Sequence, residues 1–151
     1  IVSGDGRHLA LRLDDGRLAH ARERVGDFLI DNWAEALGAD PAAAVWIGTL
    51  PGARCSADAC VVEVVRDGRR WRVLVTTGRS LIPRPAFAPA CASADIVVSD
   101  RRLPAWCHPR WLKLDRAALA TTGATSLWLA DQRIATAADA AGDRPWQPLS
   151  P

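Results

Sequence analysis

The chain has 151 residues, 49% of them hydrophobic and 24% charged, the composition of one ordinary globular domain. A formal charge of +2 does not by itself mark a nucleic-acid binder, since such domains are usually more basic. No apolar run approaches the roughly 20 residues of a membrane span, and no signal-peptide pattern opens the chain. A domain of this size buries roughly two thirds of its unfolded surface, so it needs no metal in order to fold. Of the 19 basic residues only Lys113 is lysine, an arginine bias that points to a GC-rich genome before it points to a polyanion. A sequence that begins at Ile1 and contains no methionine is expected to be a piece of a larger protein.

The first apolar–polar alternation covers residues 8–13, turns at Asp15-Gly16 and returns over 17–20, which predicts a β-hairpin. Leu18, Val25, Phe28, Leu29, Trp33, Ala36 and Leu37 then recur at helical spacing and predict a helix over 21–37, with Gly38 at its C-terminal cap. A short strand is expected at 43–47 and a loop over 48–58. Residues 59–66 and 70–77 flank Asp67-Gly68 and form the strongest hairpin signal in the chain. Within it, Trp71, Val73 and Val75 point one way and Arg72, Leu74 and Thr76 the other.

Pro83 and Pro85 suit the start of a short helix running to about residue 92. Residues 95–99 read as a buried strand and 101–109 as a loop rich in proline and arginine. Asp115 is placed to cap a helix ending at Thr122-Gly123. A last hairpin is expected from 125–129 and 133–136, with Asp131-Gln132 near its turn. The proline-rich tail 143–151 is expected to be irregular, pinned by Trp146. The element order favours an α/β (α+β) domain with a mixed β-sheet and about three helices.

Most catalytic motifs are missing. There is no G-x-S-x-G elbow and no Walker loop, and Gly4-Asp5-Gly6 reads as a turn. The three histidines, His8, His20 and His108, have no H-x-H pair among them. Cys55, Cys60, Cys91 and Cys107 lack the C-x₂-C spacing of a zinc ribbon. Cys55 with Cys60 and Cys91 with Cys107 bracket loops beside strands, which suits two local disulfides in an oxidising compartment. Four reduced buried thiols remain an alternative at this level, as does a metal site.

Four segments carry a family resemblance. Residues 3–11 are similar to the opening strand of the metallo-β-lactamase-like domain of the ComEC family of DNA-uptake channels. Residues 57–79 resemble the hairpin of that domain, which closes on "LLTGD". Residues 94–102 resemble its "ADVLKVxHHGS" strand, and 94–115 are most similar to alphaproteobacterial members. Residues 116–136 look like the closing helix and hairpin. The resemblance implies a reduced, degenerate metallo-β-lactamase-like domain. Arg79 stands where the family has a metal-bridging aspartate, and Arg101 and Arg102 stand where it has a histidine pair. A guanidinium stays protonated and offers a metal no lone pair.

From the resemblance follow the functional expectations. The chain would be one soluble domain, the C-terminal part of a polytopic inner-membrane protein, lying on the periplasmic side. That side agrees with paired cysteines. It would be non-catalytic and free of cofactors, serving DNA guidance or channel assembly in natural transformation. Its partners would be single- or double-stranded DNA, held weakly, the membrane-embedded remainder of the chain, and other competence proteins. Rival readings are a metal-dependent nuclease and a small periplasmic interaction module.

Arg79, Arg84, Arg101, Arg102, Arg110 and Lys113 are expected to ring the old active-site face, either as a solvated surface or as a phosphate-attracting rim. Trp106 and Trp111 would stack on bases or form a satellite core. Arg22 and Arg24 are expected on the first helix, away from this rim, and Arg101 and Arg102 are expected to be removable without disturbing the fold.

Overall fold

The structure, a computed structural model, describes residues 1–142. Strand β1 (Ala10–Arg12) turns through Gly16, at a left-handed φ of 84°, into β2 (Leu18–His20) and pairs with it antiparallel, as the alternation predicts. Helix α1 (Asp27–Leu37) ends on Gly38 in the left-handed region, where a glycine cap was expected. Its start differs from the predicted residue 21. Residues 21–26 are held as a strap: His20 Nδ1 lies 2.7 Å from the Arg22 carbonyl oxygen, and Arg22 reaches three other segments. Tertiary contacts therefore outweigh the local helical period.

The strand expected at 43–47 shrinks to β3 (Val45–Trp46), which pairs parallel with β2. A 3₁₀ turn at Pro41–Ala43, capped by Asp40 accepting from the Ala42 N–H, takes the preceding residues. Another 3₁₀ turn, Ile47–Thr49, follows. Inside the expected loop, β4 (Arg54–Cys55) pairs antiparallel with the next strand.

The hairpin of β5 (Ala59–Arg66) and β6 (Arg69–Thr76) is as predicted, with Asp67 and Gly68 at φ 50° and 74° making the tight turn. Helix α2 (Arg84–Ser93) crosses over to β7 (Ile96–Val98), which runs parallel to β6. After the 101–109 loop, β8 (Leu112–Leu114) adds parallel to β7. The result is a mixed five-stranded sheet in the order β4-β5-β6-β7-β8. No sequence signal marked β8: three residues are too short for periodicity, and the free edge of β7 recruits them.

Asp115 caps α3 (Arg116–Thr122) as expected, its Oδ1 accepting from the N–H groups of Ala117 and Ala118. Strands β9 (Thr125–Trp128) and β10 (Arg133–Thr136) form the last hairpin. A fourth helix, α4 (Ala137–Ala141), goes beyond the predicted three. Thr136 and Asp139 start it with a reciprocal capping box, so the signal was present in the sequence. The predicted tail, with Trp146, lies outside the described residues.

Three apolar clusters stack the elements in layers. Trp33 and Ala34 of α1 meet Ala10 and Leu18 on one face of the small sheet. Leu9, Ala19 and Ile47 on its other side join Val62, Trp71, Val73, Val75, Ile96 and Val98 of the large sheet. The far face of the large sheet sends Leu74 and Val97 against Phe87 and Cys91 of α2. The molecule is thus helix, small sheet, large sheet, helix, an α+β arrangement of the predicted class. The split of β6 is the predicted one, Trp71, Val73 and Val75 against Leu74.

Candidate functional site

Strands β6, β7 and β8 run in one direction, so their carboxyl ends open on one edge of the sheet, where open α/β sheets hold their ligands. Two close backbone approaches shape that edge. Gly78 leaves β6 so near the 57–58 backbone that a Cβ would lie 2.6 Å from the Ala57 carbonyl oxygen. The Asp58 carbonyl then accepts from the N–H groups of Thr77 at 2.8 Å and Gly78 at 3.1 Å. Gly6, at φ 69°, presses its Cα on the Ser99 carbonyl beyond the end of β7, where any side chain would clash.

These approaches bring four segments around one carboxylate. Asp100, with a side chain 20% exposed, has its Oδ2 3.5 Å from Arg22 Nη2 and 4.0 Å from Arg7 Nε, and its Oδ1 3.9 Å from Arg101 Nε. Arg22 also donates from Nε to the Arg7 carbonyl at 2.7 Å and from Nη1 to the Thr77 carbonyl at 2.9 Å. Arg101 Nη1 donates to the carbonyls of Ser80 at 2.6 Å and Arg79 at 3.2 Å. Beneath the cluster, Thr76 Oγ1 donates to Ser99 Oγ at 2.8 Å, and Ser99 Oγ accepts from the Arg101 N–H. Both hydroxyls are buried and act as struts. Three guanidinium groups face Asp100, with the Asp5 carboxylate beside Arg7, so the cluster keeps a net positive charge.

The predicted rim divides. Arg79, Arg101 and Arg102 come together at the carboxyl ends, with Arg79 and Arg102 exposed. Arg84, exposed in the first turn of α2 just beyond the segment leaving β6, lies over the Trp106 ring at 5.5 Å. Arg110 is not brought to this group. The 101–109 loop returns to the amino ends before β8 begins, so the Arg110 N–H bonds the Ala94 carbonyl and its guanidinium lies 4.0 Å from Asp95. Lys113 sits within β8 opposite Val97, away from the cluster.

Two expectations need correction. Arg22 is not a helix residue remote from the rim; it is one of the cluster's central cations, unmarked by any sequence signal because its partners lie 15, 55 and 78 residues away. Arg101 is not a freely removable surface residue, since its guanidinium ties two loops together. Trp111 packs on Trp71 at 5.1 Å and Trp106 on Phe87 at 6.2 Å, and both join the apolar clusters.

The histidines do not converge. His8 tilts over Trp33 at 5.8 Å, His20 bonds the Arg22 carbonyl, and His108 is exposed. Among the described residues, no three His, Cys, Asp or Glu side chains gather in a way that could hold a metal ion. The cysteines are joined as Cys55–Cys60 and Cys91–Cys107. Two disulfides using all four cysteines indicate maturation in an oxidising, extracytoplasmic compartment. Among the described residues, no helix is long and apolar enough to cross a membrane. No family model, curated protein or solved structure matches the chain.

Proposed function

We propose that this is a non-catalytic, metallo-β-lactamase-like domain on the periplasmic side of a ComEC-like DNA-translocation channel in the inner membrane, where it guides incoming DNA or serves channel assembly. One observation carries the reading. The segments that the resemblance aligns with metal-ligand positions, ending at Arg79 and at Arg101-Arg102, meet in space and are bridged by the Arg101 guanidinium. A site built for cations would present carboxylates and imidazoles there. This one presents fixed positive charge, which favours phosphates and repels metal ions. The exposed Arg79, Arg84 and Arg102 would meet DNA as point attractors without reading bases.

The test is salt-dependent DNA binding by the 151-residue chain. Binding is expected to be weak and sequence-independent, with each neutralised phosphate contributing roughly one unit to the slope of log K against log salt. Arg79→Ala with Arg102→Ala, which leaves the Arg101 tether intact, should flatten that slope by about one to two units. Arg110→Ala, at the opposite end of the strands, should leave it unchanged. Absence of binding at low salt, or an equal effect of Arg110→Ala, would remove DNA guidance and leave assembly as the role. Manganese-dependent DNA cleavage lost on mutation of the cluster would overturn the non-catalytic reading.

A further inference from the structure

The two disulfides differ in how they are shielded. Cys91 and Cys107 are each 0% exposed and lie among Leu74, Phe87, Val97 and Leu103 beneath α2. Cys60 is buried in the core between the sheets, but its partner Cys55 is exposed on β4, the edge strand of the large sheet. Disulfide exchange requires a thiolate to reach a sulfur, so the open bond reacts first. Strand β4 has two residues, Arg54 opposite Val61 and Cys55 opposite Cys60. A strand this short has little ladder of its own to hold it.

What the bond encloses matters as much as its exposure. Between the two cysteines, Ser56 N–H donates to the Ala59 carbonyl at 2.8 Å, and Ser56 Oγ accepts from the N–H groups of Asp58 and Ala59 at 3.2 Å. The Asp58 carbonyl is the shared acceptor for Thr77 and Gly78. Thr77 in turn offers its carbonyl to Arg22, and Arg79 and Ser80 offer theirs to Arg101. A continuous path of bonds therefore runs from the exposed disulfide to the arginine cluster.

We infer that Cys55–Cys60 is a thiol–disulfide exchange site for a dithiol reductant, and that its redox state sets the order of residues 77–80 at the arginine cluster. A thiolate of the dithiol attacks Cys55 Sγ. The Cys55–Cys60 bond breaks, and its electron pair leaves on Cys60 Sγ, which takes up a proton. The second thiol of the reductant then attacks the mixed disulfide and expels Cys55 as a thiolate, which is also protonated. The reductant ends as a disulfide, and the chain has gained two electrons and two protons as two thiols. Once the bond is open, β4 and the 56–58 turn are freed from β5, and Thr77 and Gly78 lose their rigid acceptor. The inference is independent of the proposed role in DNA uptake.

The experiment treats the folded 151-residue chain with dithiothreitol, quenches with iodoacetamide and maps the labels. Cys55 and Cys60 should be labelled on the order of tenfold faster than Cys91 and Cys107. In the partly reduced protein, amide exchange at Thr77 and Gly78 should rise on the order of tenfold while the amides of β7 keep their protection. Cys55→Ser with Cys60→Ala should reproduce that exchange pattern without reductant. Equal or earlier opening of Cys91–Cys107 would overturn the inference. So would unchanged exchange at Thr77 and Gly78 after reduction, or a simultaneous rise in β7, which would make the bond a global staple. If the double variant does not fold, the reduced wild-type chain alone decides between these outcomes.

Discussion

His8 sits half-buried against Trp33 with its Nδ1 buried and without a hydrogen-bond partner among the described residues. Burial lowers its pKa below the ordinary 6.5; the carboxylate of Asp5 opposes that shift, and the cations Arg22 and Arg7 add to it. The folded chain therefore holds this imidazole neutral at a pH where the unfolded chain already protonates it. Stability linked to His8 is fully present above pH 6.5 and is lost as pH falls below it, towards the depressed folded value. Urea denaturation between about pH 7.5 and pH 5.5 should show this decline, and His8→Gln should make it shallower. An unchanged slope in the variant would mean that another group governs this window. Asp115 illustrates the same scale without titration: one oxygen caps α3, and the other accepts from the Leu103 N–H at 2.9 Å. The cap was legible as an aspartate before a helical run, but the bond to Leu103 depends on how the 101–109 loop returns.

Among the elements, the β5–β6 hairpin holds the greatest share of the core, because both faces of β6 are covered. Trp71 is fully buried, with Trp111 on one side and the Arg69 guanidinium 3.7 Å from the ring centroid. Its indole Nε1 is buried with no hydrogen-bond partner among the described residues, so its contribution comes from packing. Trp71→Ala is expected to cost about 3–5 kcal/mol. Trp71→Phe should cost about 1–2 kcal/mol, since it keeps much of the apolar volume and removes the orphaned donor. Equal losses in urea denaturation would assign the indole a polar role. The hairpin was readable because Asp67-Gly68 and the period of two agree. The start of α1 and the existence of β8 were not, because each is decided by partners distant in sequence: the arginine cluster for residues 21–26, and the free edge of β7 for residues 112–114.

For the molecule as a whole, the four layers put the charged loops at one end of the sheets. At the other end a cleft of about 440 Å³ opens between Leu11, Leu37, Val64 and Trp128, with mainly aliphatic walls. The charged end carries Arg7, Arg22, Arg79, Arg101 and Arg102 alongside the carboxylates of Asp5, Asp58 and Asp100, so cations outnumber anions there. Such a site should be indifferent to chelators. The purified chain should contain no stoichiometric zinc or manganese, and EDTA should leave its melting temperature unchanged. A chelator-sensitive melt would mean that ligands assemble here in a way the arginine-lined geometry does not provide.

Local chemistry in the sequence was enough to determine the α+β class, the three hairpins, the glycine and aspartate caps and the absence of histidine spacing suited to a metal, because turn residues, caps and alternation act over a few residues. The pairing of cysteines was compatible with spacing, yet reduced thiols or a metal fitted the same four positions until the fold joined them. Only the tertiary structure decided which arginines form the cluster. Arg7 and Arg22 enter it because Gly6 packs on Ser99 and the strap at 21–26 reaches Thr77, while Arg110 leaves it because a parallel strand must begin at the opposite end of the sheet. Contacts across 55 to 78 residues have no periodicity to betray them, since chain closure over such lengths is set by the packing of whole layers.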